Sequence, residues 1–135
     1  MEETTEVGEF KTLEEVAASM SGHIGTEGYY AVDKSDYVIM TSGVLDFVQK
    51  TNSKWLIDLF NSDSLKETFE KQMLVTRMVV VKIRSDKSGV NISFEDGNYN
   101  VITEKNSEED MLLGEFDIWL EPMRENLVAL LPSEH

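Results

Sequence analysis

No cysteine occurs in the 135 residues, which excludes disulfides, thiolate nucleophiles and cysteine metal sites and fits a reducing compartment. Histidine is almost as scarce. Only His23 and His135 are present, and so placed they make a poor metal site. No apolar run approaches the length of a membrane span, and the longest candidate, VTRMVVVKIR, is interrupted by Arg77 and Lys82. The opening MEETTEVGEF is acidic and lacks the basic patch and apolar stretch of a signal peptide. A soluble, cytoplasmic protein is expected.

Positive charge is the other shortage: 12 Lys and Arg stand against 26 Asp and Glu, a formal net charge of −14. Such a chain is repelled by phosphate backbones and anionic membranes, because binding either depends on Lys and Arg displacing counterions. Direct nucleic-acid or membrane binding is therefore not expected. A basic protein is the natural complement, although acidity also serves solubility alone.

What is present describes one folded domain. Hydrophobic residues make up 41% of the chain and only two prolines occur, a globular profile at a size that buries one proper core. Residues 1–9 are glutamate-rich and expected to be a flexible acidic N-terminus, with a single domain from 10 to 135. TLEE at 12–15 is a capping box, with Thr12 accepting the Glu15 amide and Glu15 reaching back, and it starts a helix with Leu13, Val16, Ala17 and Met20 on one side. Tyr29–Val32 and Tyr37–Met40 flank DKSD as a small hairpin. Helices are then predicted from Thr41 or Ser42 through Gln49, from Ser53 through SKWLIDLF, and from Ser64.

From Met73 the period shifts to two. Val75, Val79, Val81 and Ile83 predict one face of a strand, and Val90, Ile92 and Phe94 a second. EDGN at 95–98 predicts a tight type I′ hairpin, because Asp-Gly supplies positive φ, and YNVIT returns antiparallel. EKNSEED reads as an acidic loop. Phe116, Ile118 and Leu120 mark a strand ended by Pro122, and ENLVALLP a last strand whose proline favours an edge. The expected architecture is α+β: N-terminal helices packed on one face of an antiparallel, meander-like sheet of about five strands.

Candidate chemistry is thin. His23 lies in SGHIGTE with Ser21, Thr26 and Glu27 nearby, the residue types of a small hydrolase or nucleotide-handling enzyme, but nothing resembles a nucleophile elbow. Asp96, Asn98 and Asn100 alternate as in an EF-hand loop, yet Val101 stands where glycine is required. No metal, cofactor or catalytic residue is assigned. The acids of the last third are the better candidates. Glu108, Glu109, Asp110, Glu115, Asp117 and Glu121 crowd together in sequence, and Trp119 alternates away from Phe116, Ile118 and Leu120 to lie beside them. An aromatic among charges is a frequent interface anchor. These seven residues are the expected partner-binding set. An assembly protein that pairs through an edge near Leu127 to Leu131, giving a homodimer, is the other reading.

Several motifs occur in one order: GTEGYY at 25–30, TSGVLDF at 41–47, KWLIDLF at 54–60, EDGN at 95–98 and LLPSEH at the end. That order resembles an uncharacterised family of small bacterial and phage proteins over roughly residues 24 to 135. This chain departs from the family in having LLGEFDIW where a Thr-Asp-Phe-Pro-Leu stretch is frequent. The resemblance implies a phage or mobile-element setting in a bacterial cytoplasm, where genes of this kind encode inhibitors of host defence, anti-CRISPR proteins among them, and a CRISPR effector nuclease as the basic partner. The LLPSEH tip reads as a lid on the core, with Ser133 and Glu134 bonding to nearby backbone around the GTEGYY loop, and His135 as a mobile chain end.

Overall fold

The computed structural model describes residues 10–20 and 28–135. The acidic residues 1–9, and His23 with Ser21, Thr26 and Glu27, lie outside the described residues. Helix α1 spans Leu13–Ser19. The Thr12 hydroxyl accepts the Glu15 amide at 3.2 Å, while the Glu15 carboxylate takes the amide of Lys11, not that of Thr12, at 2.9 Å. The start is as expected, with the reciprocal bond moved back one residue.

Strands β1 (Tyr29–Tyr30) and β2 (Val38–Thr41) pair antiparallel around the DKSD turn. Helices α2 (Ser42–Thr51), α3 (Lys54–Phe60) and α4 (Asp63–Gln72) follow. The last begins at Ser62 as N-cap, two residues before the expected Ser64. Asn61 ties this helical stretch to β2: its side-chain oxygen accepts the Tyr37 and Val38 amides, and its nitrogen donates to the Val38 and Ile57 carbonyls. A carboxamide with all these bonds formed holds one geometry, because leaving any buried amide unpaired is costly.

The second half is a strand ladder: β3 (Val79–Asp86), β4 (Gly89–Glu95), β5 (Val101–Ser107), β6 (Gly114–Met123) and β7 (Asn126–Leu130). The sheet has seven strands in the order β1-β2-β7-β6-β3-β4-β5, more than the five expected, and it is mixed because β2 and β7 run parallel. Hence β7 is interior. Its edge from Leu127 to Ala129 is occupied by Val38 to Met40 of β2, so the edge invoked for self-pairing is already used.

Other departures have local causes. Val75 is 79% exposed and precedes β3, because the chain from Leu74 to Thr76 stays turned back on α4 through bonds to the Lys71 and Gln72 carbonyls. Pro122 does not end β6: it pairs with Leu127 beyond the last β3 partner of the strand, Leu120, where a missing amide deprives no neighbour. Glu104 to Ser107 of the expected acidic loop belong to β5. EDGN is no two-residue I′ turn. Asp96 bonds to the Asn100 carbonyl across a longer loop, with positive φ at Gly97 and Tyr99 but not at Asn98 between them.

Aromatic rings join the layers. Phe47 of α2 stacks on Phe116 of β6 with centroids 4.0 Å apart, and Phe60 and Phe69 of α3 and α4 both meet Phe94 of β4. Val81, Ile83, Ile92, Ile118 and Leu120 complete the buried side of the sheet. Pairs of this kind contribute about 0.5–1.5 kcal/mol beyond the area they bury.

Candidate functional site

Strand periodicity decides where the acids of β6 point. Phe116, Ile118 and Leu120 are buried, so Glu115, Asp117, Trp119 and Glu121 project from the other face of the sheet. Glu108, Glu109 and Asp110 lie in the connection from β5 to β6, all three exposed. The structure thus makes one solvent-facing row of four predicted residues and places the other three at the sheet end nearby.

Pairing adds what the linear sequence hid. Arg84 of β3 stands directly opposite Glu115, and Lys82 opposite Asp117. Opposite charges in register stabilise a sheet face, and two of the three β6 acids have a cation beside them. Arg84 also shares a shallow hollow with Glu108. Surplus negative potential is therefore weaker over the middle of this face than composition implies.

Glu14 was not foreseen as part of this region. Its carboxylate accepts the Glu115 amide at 3.0 Å across 101 residues of sequence. Gly114 makes that approach possible: its φ is +121, and a Cβ there would lie 2.2 Å from the Glu14 oxygen. Helix α1 thereby brings one more acid beside Glu115. The only sequence signal was the glycine itself, standing before an alternating run.

The C-terminal tip reaches both sides of the neighbourhood. His135 Nε2 meets Glu121 at 2.7 Å, and its ring packs edge-on against Trp119 at 5.2 Å. Trp119 is accordingly half-buried, and His135 is a partnered residue instead of a mobile end. Glu134 sits on the start of α2, where it accepts the Thr41 hydroxyl at 2.6 Å, the Gly43 amide at 3.1 Å and the Leu131 amide at 2.9 Å. Thr41 meanwhile accepts the Val44 amide as N-cap. A carboxylate there satisfies orphan amides and complements the positive end of the helix. The tip is a lid closed on the TSG motif, and Tyr29 of GTEGYY shares a hollow with Glu134 and His135; the first three residues of that motif lie outside the described residues.

Between α1, β6 and the tip a recess of about 510 Å³ opens, bounded by buried Met20, Phe116 and Leu131 and by exposed Glu115, Asp117 and Ser133. An apolar floor with carboxylates at the mouth suits the methylene stem and charged head of a lysine or arginine. Among the described residues, no group of three or more His, Asp or Glu is placed to hold a metal ion.

A family model matches residues 14–135, which takes in α1 from its second residue and everything beyond it. The chain belongs to the family of unknown function DUF6876. No curated protein and no solved structure matches it. The match begins at residue 14, earlier than the residue 24 marked by the GTEGYY motif, and so includes Glu14. Two of the motifs quoted for the resemblance, TSG and the terminal PSE, meet directly in this DUF6876 chain through Thr41, Gly43 and Glu134.

Proposed function

We propose that this DUF6876 chain is a non-enzymatic acidic interaction protein that binds a basic surface of a protein partner. The observation that supports it most is the row on β6: Glu115, Asp117 and Glu121 flank half-buried Trp119 on a solvent-facing side of the sheet, next to the apolar recess and to Glu14. A ring held in place by its neighbours loses little freedom on binding, which is what an anchor residue needs. The net charge of −14 steers a cationic partner toward any such surface. Because Lys82 and Arg84 offset Asp117 and Glu115, the strongest attraction falls on Glu108, Glu109 and Asp110.

The partner class we propose is a nucleic-acid-binding protein whose cationic groove the acids would occupy, and the setting a phage or mobile-element inhibitor of a bacterial defence system, with a CRISPR effector nuclease as the example. That setting is suggested by the order of the GTEGYY, TSGVLDF, KWLIDLF, EDGN and LLPSEH motifs along the chain.

The test is capture of basic proteins from a bacterial lysate, followed by titration of a purified captured partner. Affinity should fall at least about tenfold between 0.1 and 1 M salt, as the screening length drops from about 10 to 3 Å. The triple variant Glu108→Lys, Glu109→Lys, Asp110→Lys should weaken it more than the pair Glu115→Lys, Asp117→Lys. Affinity indifferent to salt and to both sets would sink the reading.

A further inference from the structure

Two ordered turns adjoin at one end of the sheet with their largest side chains in water. Leu74 is 88% exposed, Val75 79%, Tyr99 85% and Val101 52%. Neither turn is slack. Thr76 Oγ1 accepts the Gln72 side-chain amide at 3.0 Å and donates to the Met78 carbonyl at 3.1 Å. In the other turn the Asp96 carboxylate accepts the Asn98 and Asn100 amides and the Asn100 side chain. Met78 Sδ lies 3.7 Å from where a side chain on Gly97 would begin, so the two turns touch. Tyr99 has φ +69, a left-handed backbone unfavourable for a bulky residue, and its exposed ring gains no buried contact in return. Strain without packing is the pattern of a residue shaped for something outside the fold.

Tyr99 and Val101 stand at the start of β5, the outermost strand of the sheet. Among the described residues no strand pairs with its outer side, which leaves backbone groups from Val101 to Ser107 open to a further strand. Along β5 the chemistry changes from apolar at Tyr99 and Val101 to charged at Glu104 and Lys105, and then to acidic at Glu108, Glu109 and Asp110 beyond its end.

We propose that the β5 edge takes up an extended segment of a basic partner protein, apolar where it passes Tyr99 and Val101 and basic where it passes Glu104 and Glu108. For the charge of that segment the proposal rests on the reading of a basic partner; the position and the strand form are new. Charge complementarity selects a partner over a second copy. An identical strand paired symmetrically about the middle residue of β5 sets Glu104 against Glu104, and directly opposed like charges are destabilising.

The probe is a short synthetic peptide of valines followed by alternating lysine and threonine, titrated into the isotopically labelled full chain and followed by amide shifts and amide exchange. Shifts and slowed exchange confined to Val101–Ser107 are expected, with binding about tenfold weaker for the Leu74→Ser, Tyr99→Asn double variant. Asparagine tolerates the left-handed backbone, so the thermal midpoint of Tyr99→Asn alone should hold or rise, whereas a fall would make Tyr99 structural and overturn its role here. A twin peptide with prolines for threonines should not bind, and equal binding would refute strand pairing. Shifts on Glu115, Asp117 and Trp119 instead would overturn the edge and spare the basic-partner reading. Equal binding by a glutamate-for-lysine twin, or no binding at all, would overturn both. A rise of solution mass with concentration, abolished in the double variant, would assign the edge to a second copy.

Discussion

The C-terminal tip and the pair of turns around Tyr99 treat their side chains in opposite ways. At the tip each conspicuous group has a partner: Glu134 takes three donors at the start of α2, and His135 lies between Glu121 and Trp119. At the turns the backbone is equally well bonded, yet Leu74, Val75 and Tyr99 face solvent. The difference separates groups the fold uses from groups it only presents. Stability should reside in the first set and recognition in the second.

Glu134→Ala offers the largest expected break in that comparison. It leaves the Gly43 and Leu131 amides and the Thr41 hydroxyl without their carboxylate, and hydrogen bonds to a charged group contribute about 1.5–3 kcal/mol each where well formed. A loss of about 2 kcal/mol or more in urea unfolding is expected, after allowing for water replacing part of the partner set; a loss below about 0.5 kcal/mol would show that the tip does not hold α2.

His135→Ala comes next. A partly exposed pair of this kind contributes about 0–1 kcal/mol, so stability should hardly change, but Trp119 loses its covering ring. Its fluorescence should shift to the red, and an unchanged spectrum would contradict the contact.

The smallest effect belongs to the turn carboxylates. Hydrogen bonds from the Asn100 side chain and the Asn98 amide hold the Asp96 carboxyl below its ordinary value of 3.8. A folded-state value below the unfolded one contributes stability that is present above the ordinary value and is lost as pH falls through the folded value. Asp33 and Asp86 are lowered in the same sense by Ser35 and Ser88. Asp96→Asn should therefore lower the neutral plateau slightly and leave the acid end of the stability profile nearly unchanged, so that the acid limb flattens. A loss of equal size at acid pH, where Asp96 is protonated, would mean that the loop depends on more than its charge.

Much of this was legible in the residues. Thr12 capped the helix it was expected to cap, Thr41 proved to be the cap where Thr41 or Ser42 was expected, and the alternation of Phe116, Ile118 and Leu120 correctly turned Glu115, Asp117 and Trp119 to the other face. Sequence reading failed where the answer depended on a distant partner. Pro122 looked like a stop because nothing local shows that β3 has already ended there. ENLVALLP looked like an edge because its parallel neighbour, β2, lies some 90 residues earlier, as the spacing of the Asp36–Asn126 contact shows.

By itself the sequence determined the type of most elements, the net charge and the side of β6 that enters the core, since period and composition are properties of short stretches. Only the tertiary structure decided which charges face each other. Register across strands put Arg84 beside Glu115 and Lys82 beside Asp117, and chain return put Glu14 and Glu134 on amides far away in sequence. Those pairings arise from packing a sheet whose neighbours are remote along the chain, and no local pattern encodes them.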